Sequence, residues 1–142
     1  MPETDRLAAI HAASFTNPRP WSAQEMASLL AMPGSFLAER PGGFVMGRAV
    51  LDEAELLTIA VAPDLRRMGT GAALLAAFEA EAQARGAARA FLEVAADNAA
   101  AIALYTRAGW RPCGRRKGYY RDGPGGAVDA LLLERTFAQP MA

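Results

Sequence analysis

ELLTIAVAPDLRRMGTGAALLAAFEAEAQAR, residues 55–85, is the stretch on which the fold turns. Its first seven residues form an apolar, partly β-branched run that reads as a strand closing at Val61. Ala62-Pro63-Asp64 interrupts it, and Arg66-Arg67-Met68-Gly69-Thr70-Gly71 leads into a helix. Gly71, Leu74, Leu75, Phe78 and Ala82 recur at helical spacing, predicting a strongly amphipathic helix stopped by Gly86. Two glycines at such a junction let the backbone pass close to a ligand without side chains in the way. The amides at the helix start point outwards without partners and carry partial positive charge. The junction is therefore an anion site in outline, suited to a pyrophosphate, with neighbouring arginines adding charge-assisted contacts. The plainer alternative is a tight turn that happens to need glycine. Neither a Walker loop nor a dinucleotide GxGxxG is present, since Leu74 stands where the last glycine of the latter belongs.

Working outward, Asp5–Phe15 favours a helix, and Ser22 with Glu25 three residues later is a capping box for a second over AQEMASLL. SFLAE and GFVMGRAVL are strand-like and are joined by the turn Arg40-Pro41-Gly42-Gly43. With ELLTIAV they read as an antiparallel meander. After the 72–85 helix come a strand in ARAFLEVAA, a helix from Asn98 to Ala108 stopped by Gly109, and strands near Trp110–Tyr119 and Val128–Phe137. Asp122-Gly123-Pro124-Gly125-Gly126 turns between the last two. The order ααβββαβαββ predicts an α/β fold with one mixed sheet and helices on both faces.

The bulk properties limit the function classes. At 142 residues with 52% hydrophobic and 21% charged residues, the chain reads as one domain, 1–142, with a real core. Fifteen basic residues balance fifteen acidic ones, which argues against a surface built as a whole for nucleic acid or anionic membrane. Cys113 and His11, each the single residue of its kind, predict no disulfide framework, no metal and no nucleophilic dyad. No spanning segment or secretory start is recognisable, so a cytoplasmic protein is expected.

Arg66-x-x-Gly69-x-Gly71 after a strand resembles the acyl-CoA motif of the GNAT superfamily of N-acetyltransferases. LDEAELLTIAV, FLEVAADNAAAIALYTRAGW and RRKGYYRDG are similar to its bacterial ribosomal-protein alanine N-acetyltransferases, and PWSAQEM resembles the helix on their substrate side. The resemblance runs from about Pro20 onward. It implies the GNAT fold with its first strand missing or reduced, acetyl-CoA as co-substrate and direct attack by the acceptor amine. Main-chain groups of Ile59, Ala60 and Val61 would pair with the pantetheine arm. Beside Arg66, amides from Arg67 through Met68, Gly69, Thr70, Gly71 and Ala72 would hold the pyrophosphate, and Asn98 would bond the pantetheine or another part of the cofactor. Glu93 would be the general base, Tyr105 the general acid, and Tyr119 and Tyr120 would shape the peptide entrance. The implied acceptor is the N-terminal alanine of a small-subunit ribosomal protein, met by a monomer or weak dimer without nucleic acid or membrane.

The chemistry of these residues admits both functional and structural readings. An α-amine has a pKa of about 7.7–8.0, so a carboxylate that takes its proton makes it nucleophilic at neutral pH. Glu93 lies within Phe91-Leu92-Glu93-Val94-Ala95, where it is either that base or one residue of an exposed strand face. Tyr105 falls on the inner side of its helix, either as core or as a phenol able to protonate a departing thiolate. Three rivals share the scaffold: transfer to a small amine or another protein, an acyl-CoA-binding domain without catalysis, and a tRNA-acetylating toxin using a local patch of Arg111, Arg115, Arg116, Lys117 and Arg121. Retention of both Glu93 and Tyr105 favours an enzyme.

Overall fold

Ser22 opens the first long helix as its capping box predicts. Its Oγ accepts from the Glu25 amide at 3.1 Å, and its own amide donates to Glu25 Oε1 at 3.1 Å. The computed structural model describes residues 5, 7–9, 22–62, 69–120 and 127–137, with the backbone alone of Tyr120. Most of the first predicted helix, His11, Arg66–Met68, Arg121 and the Gly-Pro-Gly-Gly turn lie outside these residues; Asp5 and Leu7–Ala9 are helical. The elements are α1 (Ala23–Leu30), β1 (Ser35–Arg40), β2 (Gly43–Val50), β3 (Glu53–Val61), α2 (Thr70–Ala84), β4 (Arg89–Ala95), α3 (Ala99–Arg107), β5 (Arg111–Tyr120) and β6 (Val128–Thr136). Their order matches the expected one.

One six-stranded sheet runs β1-β2-β3-β4-β6-β5, antiparallel throughout except where β3 meets β4. The β3–α2–β4 crossover supplies that parallel pair. The last hairpin folds back so that β6, not β5, lies beside β4. Each sheet face carries its own core. Under α2 and α3, Phe36, Val45, Leu56, Leu74, Leu75, Phe78, Leu92, Tyr105 and Trp110 are buried together. On the other face, Leu7 and Met26 of the N-terminal helices pack on Phe44, Met46 and Ala60.

Helix α2 buries Leu74, Leu75, Phe78 and Ala82, the stripe its spacing predicts, while Gly71 is only half-buried. Its amphipathicity is weaker than expected, because Ala72, Ala73, Ala76, Ala80 and Ala84 make up most of the exposed side. The buried stripe also contains a charge, Glu79. Its carboxylate accepts from Trp110 Nε1 at 3.3 Å and pairs with Arg135 of β6. This pair fastens α2 to β6, beyond β4 in the sheet. With 10% of the Glu79 side chain exposed, removing its cation strands a buried charge. Arg135→Met should lower stability by roughly 3 kcal/mol, and the double variant Glu79→Met/Arg135→Met should recover part of that loss in thermal unfolding. A single variant as stable as the parent would show that the pair fastens nothing.

Candidate functional site

Strands β3 and β4 pair over only three positions, Glu53 with Arg89, Ala54 with Ala90 and Glu55 with Phe91, and then part. The cause lies one strand away. Met46 of β2 faces Thr58 and the next residue, Gly47, faces Leu56, so Leu57 is an extra residue on β3. Such a bulge bends its strand and sharpens the local twist. Beyond it, Leu57–Val61 keeps β2 on one side but does not pair with β4 on the other. A cleft thus opens in the middle of the sheet, edged by β3 main chain and by the end of β4.

The start of α2 stands at the same end of β3. A Cβ added at Gly43, which pairs with Val61, would lie 3.0 Å from the Ala60 carbonyl oxygen and 3.2 Å from Thr70 Cγ2. Gly71 meets α3, its added Cβ falling 3.4 Å from Leu104. Gly69 is the N-cap of α2, with φ +80° and, among the described residues, no atom within 4 Å of an added Cβ. That left-handed conformation strains any residue with a side chain, and the absent Cβ leaves the approach to the amides open. The Ala73 amide donates to the Gly69 carbonyl at 3.0 Å, so helical bonding begins there and leaves the amides of Thr70, Gly71 and Ala72 at the free end. Serine caps α1 and Asn98 caps α3, but among the described residues no side chain caps α2. Among the described residues, the amides at the helix start, without a side-chain cap and next to a glycine, suit a phosphate-bearing ligand.

The remaining predicted residues that are described lie on both faces of the sheet. Ile59 and Val61 pack towards the α2 side, and Ala60 is buried on the other. Arg66, Arg67, Met68 and the side chain of Tyr120 lie outside the described residues. Asn98 Oδ1 accepts from the Ala101 amide at 3.2 Å, so this oxygen caps α3. Tyr105 is buried, 4% exposed, with its ring centroid 6.1 Å from that of Trp110. Glu93 is on the opposite face of the sheet from Tyr105, two residues past the last β3–β4 pair. The sheet therefore separates the two, which are not side by side. Cys113 is exposed.

The Glu93 face contains charges that strand-by-strand reading did not connect. Glu55 shares it, opposite Arg48 on β2 and beside Phe91 on β4. Crowding around the Glu55 carboxyl raises its pKa, the Glu93 charge raises it further, and Arg48 partly offsets both. Glu55 keeps an exposed edge, so this desolvation is partial. Arg116 Nη2 reaches Glu93 Oε1 at 3.3 Å. The available signal was alternation: Glu53 and Glu55 on one strand and Glu93 on the other fall on matching sides once the parallel register is known. Among the described residues no three His, Cys, Asp or Glu side chains converge to hold a metal ion, and no helix is long and apolar enough to cross a membrane.

Comparisons with known proteins span most of the chain. Residues 5–110 match the model of the acetyltransferase (GNAT) family. The chain is 39% identical over 139 residues to the [ribosomal protein bS18]-alanine N-acetyltransferase of Escherichia coli, covering 92% of this chain and 90% of that one. It is 34% identical to the N-alpha-acetyltransferase RimI of Mycobacterium tuberculosis, covering 97% and 89%. The crystal structure of the ribosomal-protein-S18-alanine N-acetyltransferase from Escherichia coli superposes with a TM-score of 0.85 at 34% identity, over 99% of this chain and 93% of that one.

Proposed function

This chain belongs to the acetyltransferase (GNAT) family, and on that premise we propose that it acetylates the N-terminal alanine of a small-subunit ribosomal protein, bS18. The observation that carries the reading is the parted β3–β4 pair with Glu93 just past its fork, in a chain similar over nearly its whole length to an enzyme named for that acceptor. Residues 1–142 act as one catalytic domain in the cytoplasm.

Acetyl-CoA supplies an acetyl group activated as a thioester. The free edge of β3 at Ile59, Ala60 and Val61 binds the pantetheine arm as an added strand would. Amides of the 67–72 segment, with Arg66 beside them, bind the pyrophosphate, and the left-handed Gly69 keeps their approach clear. Asn98 is assigned to the cofactor through its amide group, its Oδ1 being turned to the cap. Glu93 takes the proton from the acceptor's α-ammonium, directly or through one water, and the amine attacks the thioester carbonyl without a covalent enzyme intermediate. Tyr105 returns a proton to the thiolate from the other side of the sheet. Tyr119 and Tyr120 line the entrance for the acceptor chain. An α-amine suits this arrangement better than a lysine, whose pKa of about 10.4 leaves far less neutral amine at pH 7.

Each step has its own test. The Cβ of Gly71→Glu meets Leu104 at an ordinary contact distance of 3.4 Å, so the variant should fold yet repel a pyrophosphate at the helix start. Calorimetry should then find acetyl-CoA binding lost; parental affinity would remove the cradle. Glu93→Gln should keep acetyl-CoA affinity while turnover at neutral pH falls roughly 10²–10⁴-fold, with partial recovery at high pH where the amine deprotonates unaided. Parental turnover, with chemistry shown to limit the rate, would exclude Glu93 as base. The acceptor itself is tested by mass spectrometry on peptides beginning with alanine. The free terminus should be acetylated ahead of an internal lysine in the same peptide with its terminus blocked. Preferential lysine modification, or activity on small amines alone, would refute the ribosomal-protein acceptor.

A further inference from the structure

We propose that Arg116 is a positioning residue: it holds the Glu93 carboxylate at the cleft and is itself held by Tyr119, so that the base and the acceptor entrance form one connected unit. The inference rests on the assignment of Glu93 as base and deepens it. Arg116 Nη2 lies 3.3 Å from Glu93 Oε1, and its guanidinium carbon lies 5.3 Å from the centre of the Tyr119 ring. A guanidinium is planar and can pair with a carboxylate at one edge while its face rests on an aromatic ring.

The backbone is shaped for this stack. The β5–β6 register shifts once between Pro112 and Gly114, and again between Arg116, opposite Ala130, and Tyr120, opposite Val128. Within the second shift Gly118 takes φ +62°, and its amide donates to Asp129 Oδ1 at 2.8 Å. Asp129 also accepts from Arg115 Nε at 2.6 Å, and these two bonds lower its pKa. The irregular turn that brings Tyr119 to Arg116 is therefore pinned from β6 by a carboxylate.

The rest of the face explains why Glu93 needs a partner. Glu55 with Arg48 lies on one side, and Glu134 with Arg89 and Arg111 on the other. Without Arg116, the nearer carboxylate of Glu55 would repel Glu93 and turn it from the cleft. Glu93 is 27% exposed and retains freedom to swing, so a fixed cation decides its orientation.

Steady-state transfer from acetyl-CoA to an alanine-initiated peptide tests the chain of contacts. Arg116→Met should lower kcat on the order of 10–100-fold, the scale of a misplaced catalytic group, with the acetyl-CoA KM and the melting temperature unchanged. Arg116→Lys should recover part of kcat, because an ammonium still pairs with the carboxylate but does not stack in the same way. Tyr119→Leu should give a smaller loss that disappears in the Arg116→Met background. In a Glu93→Gln background, Arg116→Met should have little further effect. An equal loss in both backgrounds, or parental kcat in Arg116→Met, would overturn the proposal. Parental turnover in Glu93→Gln alone would instead overturn the base assignment beneath it.

Discussion

The molecule depends on a pair of parallel strands that stay together for three residues and then separate. A continuous sheet satisfies its main-chain groups by pairing, and leaving a strand edge open inside the sheet is unfavourable unless something takes up those groups. Here the extra residue at Leu57 forces the separation. The cleft that results presents main chain rather than side chains on its β3 edge, which suits a long, amide-bearing ligand arm. Among the described residues no side chain caps the helix start that follows β3, which leaves its first amides without an intrahelical partner.

Keeping a sheet open at its centre requires firm edges. On one face, Glu79, Trp110 and Arg135 join α2 and the residue entering β5 to β6, so the elements flanking the cleft are tied across it. Phe78 bridges that network to β1 by stacking with Phe36 at 5.7 Å between centroids. On the other face the charges are arranged in alternating sign: Arg89 between Glu53 and Glu134, Arg116 against Glu93, Arg48 opposite Glu55. The first network is largely buried and mechanical. The second remains in contact with water, where ion pairs contribute little stability and more readily serve orientation.

Local signals were the legible ones. The capping box at Ser22, the glycine stops after α2 and α3, and the apolar stripe of α2 are each written within a few residues, and the structure reproduces them. Glu93 is legible as a charge in an apolar run, but its neighbours are not. Glu55 and Arg116 reach it across 38 and 23 residues of chain, through a parallel register and a hairpin that sequence periodicity cannot supply. Nor did spacing disclose the bulge at Leu57, because an extra residue in a uniformly apolar run leaves the pattern unchanged. Asn98 shows the opposite limit: a residue singled out for ligand binding has its oxygen committed to starting α3.

The basic strand β5 shows how a composition argument changes once pairing is known. Read as a sequence, Arg111, Arg115, Arg116 and Lys117 form a cluster that would attract a polyanion. In the sheet, Arg115 lies 2.6 Å from Asp129, Arg116 3.3 Å from Glu93, and Arg111 3.9 Å from Glu134. Each of the three arginines meets a carboxylate, two on the neighbouring β6 and one on β4 beyond it, so the local field is far weaker than the run implies. The same pairing gives the arginines a different use. The cation-rich edge strand β5 lies beside β6, which contributes Glu134, and its Arg116 reaches past β6 to Glu93 on β4. What reads in one dimension as a run of like charge is in three dimensions a set of ion pairs with β4 and β6.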